Sequence, residues 1–400
     1  MEDPKERLTR RVSTSELERR WKATRGMMQE RKLDYLVAQN QEDFLGGMLR
    51  WFTDFSARHQ FPSTVIFPIH EGMTVINTGG DPPAEQNPPL WAARGIKNRL
   101  GGVYFPTAQY TNTLEAELAV SVLKEKSKPT IGLLERAFIP ITFYEYLVKN
   151  MPEANFVDAT EWVDEIKVLK SPEEIELIRG TASLQDKAIE YLRKAIKPGM
   201  KDYEVTAEAK HFFLRGGSER QLIMVGSGPP GTAVHFLPHH LGNRVIREGD
   251  QVTVLMETNG PGGYYAETMR CYMVGRKPSQ ELQDAHAIAV EIQTLTVNRL
   301  KPGADPKELW DLTNDFLKKK GYFPNLRLYA HGQGLGLVER PLIWHKEPWK
   351  LKAGMNIAVH PYARAMTQTV SACICDNWII GATGPEACLH KAPKEIIVIE

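Results

Sequence analysis

The second half of the chain repeats itself at a fixed distance, and this repeat limits the possible folds more than any other feature. A Lys-Pro-Gly turn at Pro198 recurs at Pro302, and a helix-ending glycine at Gly217 recurs at Gly321, so both pairs are 104 residues apart. Each turn precedes a predicted helix, and each glycine precedes a predicted strand. Because repeated units bury their apolar faces against each other, the spacing predicts a pseudo-two-fold domain. We expect helices outside, a curved antiparallel sheet within, and a site between the repeats.

A strong helix start at Ser171 separates this half from an N-terminal part with a different pattern. Ser171-Pro172-Glu173-Glu174 combines an N-cap, a proline at the first helical position and the acidic residue of a capping box. Upstream, apolar strand patterns at 35–38 and 64–69 alternate with helical patterns, which is typical of an α/β domain. The sequence therefore predicts an α+β protein with domains at 1–165 and 166–400.

The composition excludes several classes of protein. The 400 residues are 42% hydrophobic and 25% charged, with a formal net charge of +1, so we expect neither nucleic acid nor a membrane surface as a partner. No apolar run approaches the roughly 20 residues needed to span a bilayer. The charged segment 1–11 lacks the apolar core of a signal peptide. These features predict a cytoplasmic protein.

The segment 247–270 contains two acidic side chains in apolar surroundings. Gly249-Asp250 indicates a turn, and the apolar run that follows ends at Glu257. The glycine-rich stretch 260–263 reverses the chain, and a second short run ends at Glu267. Burying two carboxyl groups is costly unless something pairs with them. Catalytic use and a buried ion pair with Arg270 both explain such an arrangement.

These segments, together with His331-Gly332-Gln333-Gly334 and Val359-His360-Pro361, resemble the pita-bread family of creatinase, prolidase, aminopeptidase P and methionine aminopeptidase. The resemblance extends over nearly the whole chain. It implies a C-terminal pita-bread domain and an N-terminal α/β domain of the creatinase type, which dimerises and caps the substrate. It also implies a homodimer that acts on a small molecule. In the peptidases of this family two aspartates, a histidine and two late glutamates hold a pair of divalent metals.

The chain departs from this ligand pattern within the first repeat and keeps it at one histidine. Glu267 replaces the second aspartate, and Glu257, or Met256 in the alternative register, replaces the first. His331 matches the family histidine. Val338 stands where the peptidases have a second histidine.

The late ligands depart further. His360 replaces the first late glutamate, and the last falls on Cys375 or, with a shift of one residue, on Asp376. Because a histidine cannot bridge two ions as a carboxylate does, a dinuclear site is disfavoured. We expect no metal cofactor. The alternative is one divalent ion such as Zn, Fe or Mn, for which the predicted ligands are Glu257, Glu267, His331, His360 and Asp376.

A metal-free mechanism is expected to use histidines and carboxylates. The stretch 227–235 resembles the creatinase segment that carries its catalytic histidine, which assigns the acid–base role to His235, with His239 as the rival. The resemblance implies that His331 steadies the carbonyl or the attacking water. Glu257 and Glu267 are expected to bind a cationic part of the substrate or to act as nucleophile or base.

Further side chains are predicted to shape specificity. Arg58 is expected to hold a substrate carboxylate, and Trp344 to stack on a cation. The complete set of predicted substrate-binding residues is His360, Tyr264, Arg58, Phe61, Trp344 and His239.

The sequence therefore favours a creatinase-like hydrolase that cleaves a C–N bond of a small polar molecule. Three alternatives remain open at this point. They are an Xaa-Pro peptidase of the prolidase or aminopeptidase P type with unusual metal ligands, a lyase that resembles dimethylsulfoniopropionate lyase, and a non-catalytic binding module.

Overall fold

The structure is a computed structural model that describes residues 10–40, 44–56, 61–78, 92–102 and 111–400. Within these ranges the chain forms two compact units, of which the first spans Arg11–Lys167 and the second Val168–Glu400. The predicted substrate contact Arg58 lies outside the described residues. None of the helices in the described ranges has the length and apolar character that a membrane crossing requires.

The first unit is a mixed β-sheet covered by helices. Its strands are β1 (Tyr35–Asn40), β2 (Ser63–Pro68), β3 (Met73–Thr78), β4 (Ile96–Gly102), β5 (Thr130–Leu133) and β6 (Asn155–Asp158), in the order β4-β3-β2-β1-β5-β6. Its helices are α1 (Thr14–Arg31), α2 (Met48–Thr53), α3 (Leu114–Leu123), α4 (Ile141–Asn150) and α5 (Thr160–Lys167), with a short 3-10 turn at Arg136–Phe138. Strand β1 is antiparallel to β2 and parallel to β5. Val37 and Ile131 of these strands pack against Leu123 and Leu147 of the helices and form the core.

The second unit contains the repeated half. Its helices are α6 (Pro172–Ala195), α7 (Asp202–Arg215), α8 (Gln280–Val297) and α9 (Pro306–Lys319). Its longer strands are β7 (Gln221–Gly228), β8 (Gln251–Asn259) and β9 (Tyr265–Val274). The shorter strands are β10 (Ala330–Gly332), β11 (Glu339–Leu342), β12 (Asn356–Val359), β13 (Tyr362–Arg364), β14 (Ser371–Cys373), β15 (Asp376–Ile379) and β16 (Ile397–Ile399). The strands form the sheets β16-β9-β8-β7 and β11-β10-β12-β15 and the pair β13-β14.

The predicted repeat is confirmed by the helices. α7 and α9 each have 14 residues, and both their first and their last residues are 104 positions apart. Gly217 follows α7 with φ of +84°, and Gly321 follows α9 with φ of +81°. This left-handed conformation favours glycine at the end of a helix, so the spacing of the two glycines in the sequence reflects the same turn used twice.

The boundary helix α6 begins as predicted. The Ser171 side chain accepts from the Glu174 backbone N–H at 3.2 Å, and the Glu174 carboxylate accepts from the Ser171 N–H at 2.7 Å. Two helix-end donors are thereby satisfied within a buried segment.

The hairpin of β8 and β9 is longer than the sequence indicated. Glu257 and Glu267 lie directly opposite each other within the paired strands, and neither of them ends its strand. The turn uses Gly262 at φ +111° and Gly263 at φ +82°. The pairing continues past both acids because every residue of β8 and β9 is buried, so no solvent-exposed position marks a strand end.

The two sheets of the second unit meet at a backbone bridge between Met269 and Cys375. This contact brings β15 of the second repeat beside β9 of the first. It places the Glu257–Glu267 pair next to His331 of β10, and His360 follows the neighbouring strand β12 directly.

Candidate active site

The centre of the candidate site is the cross-strand pair Glu257 and Glu267. Opposite residues of antiparallel strands point to the same side of the sheet, and both carboxyl groups are more than nine-tenths buried. Burial raises the pKa of Glu257 well above its ordinary value, and the charge and hydrogen bond of Glu267 raise it further. Glu257 therefore carries the proton of the pair, because two adjacent buried carboxyls cannot both ionise.

Glu267 remains ionised for a different reason. Burial opposes its ionisation, but His360 and His331 outweigh that effect and lower the pKa of Glu267 to about 2. Burial in turn lowers the pKa of His360 to about 4, so this ring is charged in the acidic range in which Glu267 takes up its proton and is neutral near pH 7. The pair thus consists of one neutral acid and one carboxylate.

His331 faces the carboxyl pair with one defined nitrogen. Its Nδ1 lies 2.9 Å from the Gly332 carbonyl oxygen, which can only accept, so Nδ1 carries a hydrogen. Its Nε2 lies 3.4 Å from Glu267 Oε2 and 3.8 Å from Glu257 Oε1. In the neutral ring this nitrogen is an acceptor that faces an acceptor, and a proton or a cation between the two resolves the conflict.

Glu267, His331 and His360 together form a donor set for one metal ion. One ligand atom of each lies within 4.8 Å of the other two. Among the described residues, Glu267 Oε2 and His360 Nε2 are buried and have no hydrogen-bond partner, which is costly unless a ligand satisfies them. Two histidines and a carboxylate suit zinc, iron or manganese. The residues present therefore fit one divalent ion.

The same residues do not fit two ions. At the last ligand position Cys375 Sγ lies 3.4 Å from the Glu267 carbonyl oxygen, and burial raises the pKa of its thiol well above the ordinary value. A thiol at Cys375 and an imidazole at His360, in place of the two late glutamates, supply no bridging carboxylate.

Asp376, predicted as a possible ligand, lies on the opposite face of its strand. Its Oδ1 accepts from Arg270 Nη2 at 2.7 Å, and both side chains are buried. Strand alternation accounts for this, because Cys375 and Asn377 both contact the Glu267 backbone and Asp376 lies between them. Arg270 therefore forms its buried ion pair with Asp376 and not with Glu257 or Glu267 of the hairpin.

In a second group of potential ligands, Asp376, Cys388 and His390, the histidine already has protein partners at both ring nitrogens. His390 Nδ1 lies 3.3 Å from the Asn377 N–H, which donates to it, and its Nε2 lies 2.7 Å from Gln185 Oε1. Both ring nitrogens are thus used by the protein. We interpret this group as part of the core around Arg270.

Sequence reasoning missed three buried amides beside the carboxyl pair. Gln333 Nε2 donates to Glu257 Oε1 at 3.0 Å, Asn377 Nδ2 donates to Gln333 Oε1 at 2.9 Å, and Asn377 Nδ2 also donates to Asn356 Oδ1 at 3.2 Å. The signal in the sequence was a glutamine between two glycines, in the segment that carries His331.

The other predicted histidines lie in exposed positions. His235 is exposed, and its Nδ1 is 3.5 Å from the Tyr362 hydroxyl. His239 and His240 are also exposed, with ring centroids 5.5 Å apart. The structure thus places buried His331 and half-buried His360 beside Glu267, and His235 and His239 at the surface.

The predicted substrate-binding aromatics have packing contacts. Tyr264 is buried, and its hydroxyl donates to Glu174 at 2.7 Å, which ties the hairpin turn to α6. This contact gives Tyr264 a structural role, and its contact with substrate stays a prediction. Trp344 is half-buried with its ring centroid 4.6 Å from that of His345, and Phe61 is half-buried in the first unit.

The fold and the donor set define a protein of the pita-bread class of metallopeptidases. Residues 176–382, slightly more than half of the chain, match metallopeptidase family M24. The chain belongs to this family.

Two curated relatives show the range of similarity. The chain is 28% identical over 251 residues to the uncharacterized peptidase YqhT of Bacillus subtilis (strain 168), covering 62% of this chain and 69% of that protein. It is 27% identical over 271 residues to the Xaa-Pro dipeptidase of Pyrococcus furiosus, covering 65% and 76%.

Solved structures resemble the whole chain. The Xaa-Pro dipeptidase from Bacillus anthracis superposes with a TM-score of 0.76 at 23% identity, over 96% of this chain and 99% of that one. The recombinant prolidase from Thermococcus sibiricus gives 0.80 at 18% identity, over 97% and 100%. At these identities the likeness establishes the fold.

Proposed function

We propose that the protein is a hydrolase that cleaves the amide C–N bond of a small peptide-like substrate at a single-metal centre, with Xaa-Pro dipeptides as the first substrates to test. The observation that carries this proposal is the set of buried Glu267, buried His331 and half-buried His360. Its buried atoms Glu267 Oε2 and His360 Nε2 have no hydrogen-bond partner among the described residues and require a ligand. Membership of metallopeptidase family M24 supports the reaction class, and the names of two relatives support the choice of substrate.

In this proposal Glu267, His331 and His360 would hold the ion. A bound divalent ion supplies Lewis-acid polarisation of a carbonyl and lowers the pKa of water. His331 keeps its Nε2 available because its Nδ1–H donates to Gly332, and a fixed tautomer of this kind is what a metal-binding histidine requires.

Glu257 is the proton donor in this scheme. Its carboxyl is held in the neutral form beside the Glu267 carboxylate, so it can deliver a proton to the nitrogen that leaves when the amide bond breaks. The opposite protonation states of two adjacent carboxyls are a common basis for such acid and base roles.

Reconstitution with metal tests the proposal. Protein freed of metal is titrated with Mn²⁺, Zn²⁺ or Co²⁺ while hydrolysis of a panel of Xaa-Pro dipeptides is measured. We expect activity to reach its maximum at one equivalent per chain and to be lost in Glu267→Gln and His331→Ala. His286→Ala, on helix α8 outside the donor set, is the matched control and should keep activity. A maximum at two equivalents would contradict the single-metal centre.

A metal-free, creatinase-like hydrolysis of another C–N bond is the second candidate. The loss of bridging carboxylates at His360 and Cys375 favours it. It predicts turnover of small non-peptide amides or amidines that a chelator leaves unchanged, and loss of this turnover in Glu267→Gln. Activity that disappears with chelator and returns with metal would eliminate this candidate.

A further inference from the structure

The side chain of Gln333 is completely buried, and its orientation is fixed by three partners. Its Nε2 donates to Glu257 Oε1 at 3.0 Å and to the Leu337 carbonyl at 3.1 Å. Its Oε1 accepts from Asn377 Nδ2 at 2.9 Å. A flipped amide would set its oxygen against two acceptors and its nitrogen against a donor, so a single orientation is possible.

The partners of Gln333 close a network around both carboxyl-bearing strands. Asn377 Oδ1 accepts from the Glu267 backbone N–H at 2.9 Å, while its Nδ2 donates to Gln333 and to Asn356 Oδ1. Asn356 Nδ2 donates in turn to the Gln333 carbonyl oxygen at 3.2 Å. The network therefore connects the side chain of Glu257 with the backbone of Glu267, and fully satisfied networks of buried amides are rigid.

The backbone on both sides of Gln333 is also closely packed. A Cβ on Gly332 would lie 2.2 Å from the Arg340 carbonyl oxygen, and one on Gly334 would lie 2.6 Å from Lys170 Nζ. Lys170 itself forms a buried ion pair with Glu339 at 2.6 Å. Gln333 is thus attached to a segment that has little room to move.

We propose that Gln333 is the positioning residue that holds the Glu257 carboxyl beside Glu267 and outside the metal-binding donor set. Glu257 Oε1 lies 3.8 Å from His331 Nε2 and 3.0 Å from Gln333 Nε2, so the amide competes with the donor set for this oxygen. This inference rests on the proposed function, since it concerns the acid that the proposed reaction uses. Outer partners of this kind orient metal ligands and tune affinity.

Gln185 provides a matched control for Gln333. It is equally buried, and its Nε2 donates to the Met256 and Ala266 carbonyls and to Thr258 Oγ1. These residues flank Glu257 and Glu267 in the same hairpin, but Gln185 bonds to neither carboxyl. Gln185→Met thus removes a buried amide from the same strands without releasing Glu257.

The test compares Gln333→Met with Gln185→Met in two measurements. The first is a crystal structure of each metal-free variant. We expect the Glu257 carboxyl to adopt a different rotamer in Gln333→Met and to stay in place in Gln185→Met. An unchanged Glu257 in Gln333→Met would overturn the inference.

The second measurement is the affinity for Mn²⁺ by titration calorimetry. We expect Gln333→Met to strengthen binding by about tenfold, because the released Glu257 carboxyl can join the donor set, and Gln185→Met to leave binding unchanged. In a Glu257→Ala background, Gln333→Met should have no further effect, because its acceptor is gone. Unchanged or weaker binding in Gln333→Met, equal changes in both methionine variants, or full additivity with Glu257→Ala would overturn the inference.

The two proposals fail differently in this test. If the wild-type protein binds no Mn²⁺, Zn²⁺ or Co²⁺, the single-metal centre of the proposed function is wrong. The metal-free crystal structures then decide alone whether Gln333 positions Glu257, since they require no ion.

Discussion

The protonation of Glu257 predicts an unusual stabilisation by Glu257→Gln. A neutral glutamine keeps the contacts of the protonated acid, because its oxygen accepts from Gln333 and its N–H can donate to Glu267. The variant differs from the wild type mainly in the unfolded state, where Glu257 ionises with an ordinary pKa. The comparison must be made in metal-free protein, since a bound ion changes the charges at the site.

The sign and magnitude follow from proton linkage. The pKa of Glu257 is raised in the folded protein, so its contribution to stability is fully present below the unfolded pKa and is lost as pH rises towards the folded one. The loss amounts to about 1.4 kcal/mol per pH unit. Above roughly pH 4.5, the free energy of unfolding of the wild type should therefore fall relative to that of Glu257→Gln by about 1.4 kcal/mol per pH unit. The fall ends where the folded carboxyl ionises.

Urea unfolding at pH 5, 6 and 7 with a chelator present measures this difference. Subtracting the wild type from the variant removes the contribution of the other titrating groups. His360 is one of them, because its lowered pKa makes the free energy of unfolding rise with pH below its ordinary pKa. A difference that does not change with pH would show that Glu257 is ionised in the folded protein. That result would refute the assignment of the shared proton and of the proton donor.

Other consequences of the structure can be measured separately. Glu267→Gln removes the carboxylate whose charge raises the pKa of His360 against the effect of burial, so His360 of the metal-free variant should take up its proton at a lower pH than in the wild type. NMR titration of the ring measures this, and an unchanged titration would contradict the contact between the two groups. Asp376→Asn leaves buried Arg270 without its ion-pair partner and should cost about 3–5 kcal/mol, whereas a cost under about 1 kcal/mol would contradict the buried pair. Ser171→Ala removes the capping box of α6 and should cost about 1 kcal/mol, measured by thermal unfolding with exposed Ser15→Ala as control. The expected homodimer is tested by light scattering, where the mass of one chain would contradict it.

Much of the fold could be predicted from local sequence patterns. The capping box at Ser171 and the left-handed glycines at Gly217 and Gly321 act through neighbouring backbone groups, so the residues themselves specify the structure. The ends of β8 and β9 could not be predicted, because both strands are buried along their whole length. A polar residue such as Glu257 then marks a site in the interior and not the end of a strand.

The candidate site could be predicted only in part, for a physical reason. Glu257, Glu267, His331 and His360 belong to segments whose pairing follows from the repeat, and the structure brings them together. Whether the last position offers Cys375 or Asp376 depends on the register of one short strand.

The role of Gln333 depends on contacts with residues far along the chain. Its partner Asn377 is 44 positions away and Glu257 is 76 positions away. Long-range hydrogen bonds of this kind leave no local pattern, and a buried amide can be recognised as part of a site only when its neighbours are known.

The number and position of bound ions test the account most directly. Crystals of the protein are soaked with Mn²⁺ or Zn²⁺, and anomalous diffraction locates the metal. We predict one peak per chain, bounded by Glu267 Oε2, His331 Nε2 and His360 Nε2. Two peaks bridged by Glu257 and Glu267, or a peak beside Asp376 and His390 with none at His331, would contradict it.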